Sequence, residues 1–184
     1  MTSGATAGRR ALVLDTMCLS QFARTDRLDV LEDLLDEWDC WTTGFVIDEL
    51  RQASTDYPEL GAACELKWLS KTDLETAEEI FSLAQWVRRI CGGSDRGRGE
   101  ASVFAAAEVR DGIALTDDRE ATKVARRHDL EVHGTIWLLA AGCRRGKLTA
   151  ISAGNLIDDF RALGARLPCK GSEFRDYARK HRLL

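Results

Sequence analysis

Two short apolar runs, each ending in aspartate, constrain the fold of this chain more than any other feature of its sequence. The first is Ala-Leu-Val-Leu followed by Asp15, and the second is Ile-Ala-Leu-Thr116 followed by Asp117 and Asp118. A short run without polar alternation is typical of a strand that is buried in a parallel sheet. Ligands bind at the carboxyl edge of such sheets, so these aspartates are predicted to face one functional edge.

Strand and helix patterns alternate along the rest of the chain. Further strands are predicted at 40–43, 66–69 and 130–132, and residues 54–61, which include a proline, are predicted to be a loop. Helices are predicted at about 28–38, 45–53, 73–91, 100–110, 119–128, 135–145, 151–163 and 172–181. This alternation predicts an α/β fold of three layers, in which helices flank a central, mostly parallel sheet.

The helix predicted at 73–91 has a long apolar stripe. Thr72 or Asp73 is its predicted N-cap, because either side chain can accept a hydrogen bond from the first helical turn. The stripe is predicted to pack on the core and consists of Leu74, Ala77, Ile80, Phe81, Ala84 and Val87.

Length and composition suggest a cytoplasmic protein with one domain. The 184 residues suit a single domain at 9–168, with a disordered N-terminus at 1–8 and a C-terminal helical tail at 169–184. Six cysteines without a Cys-x-x-Cys pair, in a chain without a secretory signal, indicate reduced thiols rather than a zinc site. No apolar stretch approaches the roughly 20 residues that span a membrane, so no membrane association is predicted.

The charge distribution leaves room for a nucleic-acid ligand. The net charge of −4 does not by itself indicate one, but basic residues concentrate in the second half of the chain and could attract phosphates locally. Arg96 and Arg98, in the glycine-rich segment 92–99, and Arg119 are candidates for contacts to a nucleic-acid backbone. The alternative is that they are solvated surface charges.

Two glutamates can join the aspartates at the predicted edge. Glu49 and Glu100 each stand early in a predicted helix that follows a turn, so both can face the place where Asp15 and Asp118 lie. Four neighbouring carboxylates raise one another's pKa unless a cation lies between them. A set of oxygen ligands suits Mg²⁺ or Mn²⁺, and these ions promote phosphodiester hydrolysis by activating bound water.

Each of these acids also has a structural interpretation. Asp15 could cap the helix that follows it, and Asp117 or Asp118 could cap the helix that begins near residue 119. Glu100 could merely favour the positive end of its helix, and Glu49 could be a solvated helix carboxylate. The residues alone leave these alternatives open.

Five motifs, taken in order, resemble those of PIN-domain proteins over about residues 11–168. They most resemble a branch related to VapC-type toxins, in which Gly-x-Gly-Glu opens a helix and Asp-Asp-Arg follows a strand. The motifs are Leu-Val-Leu-Asp15-Thr, Val-Ile-Asp-Glu49-Leu, Gly97-Arg-Gly-Glu100-Ala-Ser, Leu-Thr116-Asp-Asp118-Arg and Val132-His-Gly-Thr135.

The resemblance implies an endoribonuclease that depends on Mg²⁺ or Mn²⁺ and leaves a 5′-phosphate and a 3′-hydroxyl. It implies that Asp15, Glu49, Glu100 and Asp118 are the catalytic, metal-binding acids, with Asp117 as a further carboxylate. Thr116 matches a supporting hydroxyl of the family, and Thr16 is a further supporting candidate. Arg96, Arg98 and Arg119 remain the candidates for contacts to RNA. The implied partners are RNA, an antitoxin protein if the chain is a toxin, and a second copy of the chain in a homodimer.

Two other functions compete with this prediction. One is a catalytically inactive module that keeps the same fold and binds RNA or protein. The other is a phosphotransferase with Asp15 as nucleophile, which the sequence disfavours because Met17 stands where such phosphatases place a second aspartate.

Overall fold

The computed structural model describes residues 8–91 and 97–184, and within them five strands form one parallel sheet. The order across the sheet is β3-β2-β1-β4-β5. The predicted disorder at 1–8 therefore falls almost wholly outside the described residues, as does Arg96. The strands are β1 (Ala11–Leu14), β2 (Asp39–Thr43), β3 (Ser70–Thr72), β4 (Ile113–Leu115) and β5 (Val132–His133).

Helices cover the sheet, which confirms the predicted three-layer α/β fold. Short 3-10 turns lie at Pro58–Leu60 and Gly171–Glu173. The α-helices are α1 (Thr16–Arg24), α2 (Leu28–Leu35), α3 (Gly44–Ala53), α4 (Gly61–Cys64), α5 (Ala77–Cys91), α6 (Arg98–Val109), α7 (Arg119–Arg126), α8 (Thr135–Arg144), α9 (Ala150–Ala162) and α10 (Phe174–Lys180).

The strand order places a topological switch point beside β1. From β1 the chain adds β2 and β3 on one side, and it then crosses over to add β4 and β5 on the other. Strand β1 is buried along its whole length, and Leu12 pairs with both Cys40 and Ile113. Parallel sheets bind ligands outside the carboxyl ends of the strands at such a point. The residues that follow β1 and β4 meet there.

Helix α6 is buried because its side chains are small. Ala101, Ala105, Ala106 and Ala107 are all fully buried, and the helix packs on α5 and on β1, β2 and β4. Small side chains let a helix approach its neighbours closely and still fill the space at native density. This packing brings Glu100, in the first turn of α6, to the carboxyl edge of the sheet.

Two predicted segments before α5 are wrong in their boundaries. The predicted strand 66–69 instead forms turns, and β3 begins at Ser70, because the register with β2 pairs Trp41 with Ser70. Leu69 is buried all the same, so the apolar run anchors the chain to the core without pairing. The predicted loop 54–61 contains the turn Pro58–Leu60 and leads directly into α4.

Helix α5 differs from its prediction in both its start and its buried face. It begins at Ala77, and Thr76 caps it rather than Thr72 or Asp73, since Thr76 Oγ1 accepts from the Glu79 N–H at 3.2 Å. Ile80 and Phe81, predicted to be buried, are 54% and 67% exposed. Apolar periodicity alone therefore assigned the wrong side of the helix to the core.

The buried face of α5 carries polar groups that find partners inside the protein. Glu79 accepts hydrogen bonds from Thr72 at 3.0 Å and from Arg110 at 2.9 Å. Ser82 and the indole N–H of Trp86 both donate to Glu108. A buried polar group is tolerated when its hydrogen bonds are made within the fold.

Two further predictions concern the state of the cysteines and the presence of membrane-spanning helices. Among the described residues, Cys18, Cys40, Cys64, Cys143 and Cys169 are free thiols. No helix in the described part of the chain is long and apolar enough to cross a membrane.

Candidate active site

Asp15 is the most deeply buried acid at the carboxyl edge of the sheet. It follows β1 and caps α1, where its Oδ1 accepts from the backbone N–H of Cys18 at 2.9 Å. Its Oδ2 accepts a hydrogen bond from the Thr116 hydroxyl. Burial, together with the charges of Asp117 and Glu100, raises the pKa of Asp15 from 3.8 to about 7 against the effect of these two hydrogen bonds. The side chain is 3% exposed, so ionising it requires a compensating charge.

Thr116 joins the ends of the two central strands. Besides donating to Asp15, its hydroxyl accepts from the Asp118 backbone N–H at 3.2 Å. Asp118 itself is exposed and caps α7, with its Oδ1 accepting from the Ala121 N–H at 2.7 Å. A single hydroxyl thus fixes the relative positions of Asp15 and Asp118.

Asp117 points into the protein, and both of its oxygens have hydrogen-bond partners. Oδ1 accepts from the backbone N–H of Thr135 at 2.8 Å. Oδ2 accepts from the Thr135 hydroxyl at 2.6 Å and from the Gln21 amide at 2.9 Å. These contacts join the end of β4 to the first turn of α8 and to α1. Gln21, which no motif in the sequence marks, also supports this edge.

Glu49 lies against the start of α6. The Thr16 hydroxyl donates to Glu49 Oε2, so the residue after Asp15 positions a second acid. The backbone of Gly99 approaches the same carboxylate so closely that a Cβ there would lie 2.6 Å from Glu49 Oε1. Glycine at position 99 therefore provides the space that the Glu49 carboxylate occupies.

Glu100 lies close enough to the other three predicted acids for their charges to interact. It is half-buried, and burial raises its pKa, with further increases from the charges of Glu49 and Asp118. Its own charge in turn raises the pKa of Asp15. Asp15, Glu49 and Asp118 are therefore all electrostatic neighbours of Glu100, and the structure brings the four acids to one edge of the sheet.

A cleft of about 730 Å³ opens beside these acids. Glu100, Asp117, Asp118 and Glu120 contribute its acidic lining. Arg119, predicted as an RNA contact, lines it together with Arg161 and Arg166. Neither of these last two was predicted, because they follow the recognisable motifs and only the fold brings α9 to the cleft.

Arg98 lies in a different place from Arg119. It lines a separate groove of about 310 Å³, whose other residues are mainly apolar and come from α3 and α5. Phe45, Ile80 and Val87 are among them. Arg96, the third predicted contact, lies outside the described residues.

The chemistry of the acids suits a hard cation, although the side chains do not surround a single point. Within 8–91 and 97–184, no three His, Cys, Asp or Glu side chains are arranged as a ready-made metal site. The oxygens of Asp15, Glu49 and Asp118 are instead engaged by neighbouring protein donors. The donor set is purely carboxylate, and the buried Asp15 needs a counter-charge, so the residues fit Mg²⁺ or Mn²⁺.

Comparison with known proteins agrees with this fold. A family model described as DUF3368, PIN domain, matches residues 11–173. One chain of the 2.2 Å structure of VapBC-1 from nontypeable Haemophilus influenzae has a similar fold, with a TM-score of 0.51 and 14% sequence identity. The similarity covers 67% of this chain and 97% of that one. No curated protein matched the sequence at a significant level.

The family match spans every element from β1 to the turn at Gly171–Glu173. It therefore includes the ends of β1 and β4, the first turns of α3 and α6, and all four acids that the fold brings together. The resemblance identified from the motifs is thereby confirmed at the level of the family. This chain belongs to the PIN domain family.

Proposed function

We propose that this protein is a metal-dependent endoribonuclease that hydrolyses RNA phosphodiester bonds to 5′-phosphate and 3′-hydroxyl ends. The observation that carries the proposal is the convergence of Asp15, Glu49, Glu100 and Asp118 at the switch point of the sheet. Burial and mutual repulsion raise the pKa values of Asp15 and Glu100. A cluster of carboxylates does not increase the stability of a fold, whereas a cation site for phosphodiester chemistry requires one.

Asp15, Glu49, Glu100 and Asp118 would hold Mg²⁺ or Mn²⁺. When bound, the ion supplies an activated water and neutralises charge that develops on the phosphate. The chain's own task is placement, since correct positioning accounts for much of an enzyme's rate enhancement.

Two threonine hydroxyls and one glycine position the acids. Thr116 and the Cys18 N–H fix both oxygens of Asp15, and Thr16 holds Glu49. Gly99 leaves room for the Glu49 carboxylate beside α6. We assign Asp117 to the support of this edge, because its oxygens already accept three hydrogen bonds from Thr135 and Gln21.

The proposal is tested by cleavage of a labelled single-stranded RNA in Mg²⁺ or Mn²⁺, with the same sequence in DNA for comparison. Glu100→Gln and Asp15→Asn should each reduce the cleavage rate at least about a hundredfold, as loss of a residue that acts directly on the reaction does. Glu120→Gln is the matched control, because Glu120 lines the same cleft but is exposed and pairs with Lys123 at 2.6 Å. Parent-level cleavage by Glu100→Gln would refute the assignment.

The same assay tests an inactive binding module, the second candidate function. The absence of a ready-made metal site among the described side chains favours this alternative. RNA binding without cleavage in either metal would establish it. Cleavage that EDTA abolishes and Mn²⁺ restores would exclude it.

We also propose that the protein forms a homodimer and, as a toxin, pairs with an antitoxin that inserts a basic side chain among the acids. The fold likeness to VapBC-1 and the exposed apolar side chains of Phe45, Ile80 and Phe81 support this. Light scattering after size exclusion tests the dimer. Phe81→Glu should weaken the dimer. A parent protein that is monomeric at micromolar concentration would contradict the proposed homodimer.

A further inference from the structure

The cleft beside the acids has a basic wall that lies late in the chain. Arg161 is in the last turn of α9 and Arg166 is in the segment that follows, which we call the strap (residues 163–167). Both line the same cleft as Glu100 and Asp118. The fold therefore brings two guanidinium groups and two of the proposed catalytic acids to one cavity.

The strap is held in a fixed conformation. Gly164 has a φ of 94°, and its N–H donates to the Arg161 carbonyl at 3.0 Å, while the Ala165 N–H donates to the Phe160 carbonyl at 3.0 Å. This is the Schellman arrangement that ends many helices. Arg161 Nη1 donates to the carbonyl of Leu167 at 2.9 Å, and the Leu167 side chain is buried. The position of Arg166 is thus set before any ligand arrives.

Within the described part of the chain, neither arginine of this wall forms an ion pair with a carboxylate. Arg161 contacts a carbonyl, which leaves its full charge, and Arg166 is exposed and makes no hydrogen bond or ion pair with a described residue. Glu120, which also lines the cleft, is paired with Lys123 at 2.6 Å. Elsewhere arginines of the described chain, such as Arg110 and Arg145, have carboxylate partners.

We propose that Arg161 and Arg166 form a binding site for phosphate groups of the RNA strand, next to the phosphate that is cut. This inference rests on the proposed function, because it uses the acids to locate the scissile bond. A guanidinium binds phosphate through parallel N–H donors, so a fixed pair of arginines holds a strand by its backbone whatever its base sequence. The site is separate from the acids and acts on binding rather than on the chemical step.

The test measures binding of a short fluorescein-labelled oligouridylate to the full chain by anisotropy, in Mg²⁺ and with Glu100→Gln as a non-cleaving background. Arg166→Ala should weaken binding roughly tenfold, because a hydrogen-bonded charge on a phosphate is lost. It should also lower the slope of log K against log salt by about 0.7, the value for one phosphate on a single strand. Arg166→Lys should restore the slope and part of the affinity.

Arg9→Ala is the matched control, because Arg9 is exposed and lies before β1, at the amino end of the sheet. It removes the same charge and should change neither affinity nor slope. Arg166→Ala binding that equals the background would overturn the inference. So would an equal loss in the Arg9 variant, which would indicate a general charge effect.

Kinetics separate this inference from the proposed function. With the parent acids, Arg166→Ala should raise KM roughly tenfold with little change in kcat. Cleavage by the parent with an unchanged KM in the variant overturns the phosphate site and leaves the ribonuclease in place. Binding that depends on Arg166, without cleavage by the parent, supports the phosphate site and refutes the ribonuclease.

Discussion

Replacing Asp15 by asparagine should make the metal-free protein more stable, although it should abolish its activity. The Asp15 carboxyl is buried, and burial raises its pKa to about 7. Because the unfolded chain has the ordinary value of 3.8, the folded state binds more protons between these two pH values. The free energy of unfolding therefore falls as pH rises from about 4 to about 7, and it stays low above that range.

The size of the effect follows from the two pKa values. At about 1.4 kcal/mol for each pH unit, the difference between 3.8 and about 7 corresponds to about 4 kcal/mol at pH 8. An asparagine keeps an oxygen for the Cys18 N–H but presents N–H groups to Thr116, whose hydroxyl also accepts from the Asp118 N–H. Losing one hydrogen bond costs about 1 kcal/mol, so the net gain is about 3 kcal/mol.

The measurement is urea unfolding in EDTA at pH 8 and pH 5.5. Asp15→Asn should be the more stable protein at pH 8, with an advantage smaller by about 2 kcal/mol at pH 5.5. Asp56→Asn, at an exposed position after α3, is the control and should show no such change. Mn²⁺ at 1,000 times its Kd should reverse the order, since it stabilises the parent by about 4.1 kcal/mol, which exceeds the gain of about 3 kcal/mol from the substitution.

Two results would refute this reasoning. A variant that is less stable than the parent at pH 8 in EDTA would mean that the Asp15 carboxylate is not an unfavourable buried charge. Equal stabilisation of both proteins by Mn²⁺ would mean that Asp15 does not bind the ion.

Three further substitutions test other parts of the structure. Gly99→Ala should keep or raise the melting temperature, because alanine favours helices, yet it should lower kcat at least about tenfold by displacing Glu49; unchanged kcat would contradict the close approach. Glu79→Gln should cost about 3 kcal/mol in urea unfolding at pH 7. Burial raises the pKa of Glu79, but hydrogen bonds from Thr76, Arg110 and Thr72 outweigh it and hold that pKa at about 2. The stability that the ionised Glu79 contributes is lost as pH falls from 4.5 toward 2, so the penalty should be smaller at pH 3. Asp117→Asn should lower stability by about 1–3 kcal/mol in the same assay, and a neutral result would refute its supporting role.

The central strands could be predicted from the sequence because both of their faces are buried. Strands β1 and β4 are uninterrupted apolar runs, so neither their position nor their role depends on details of packing. Helix α5 shows the opposite case. Its buried face carries Glu79 and Trp86, whose polar atoms bind partners from other elements, and it exposes Phe81. Such a face cannot be identified from apolar periodicity, because the partners come from distant parts of the chain.

The site was predictable to a similar extent. Asp15 and Asp118 follow strands, and Glu100 lies in the first turn of its helix, so these positions are visible in the sequence. Glu49 lies further along, in the second turn of α3. The direction of the Asp117 side chain is not visible in the sequence, because it depends on Gln21 and Thr135 meeting behind β4. The position of Arg166 could not be predicted either, because only the path of α9 brings the strap to the cleft.

Capping a helix and binding a cation are compatible roles for the same aspartate. Asp15 and Asp118 each use Oδ1 for a backbone N–H at the start of a helix, and an ionised carboxylate has about four lone-pair sites in all. The cap fixes the side chain, and the positive end of the helix offsets part of its charge. Because the amide of asparagine can still cap a helix, substitution by asparagine removes the negative charge and largely keeps the cap, whereas alanine removes both. Asparagine is therefore the substitution that separates the two roles.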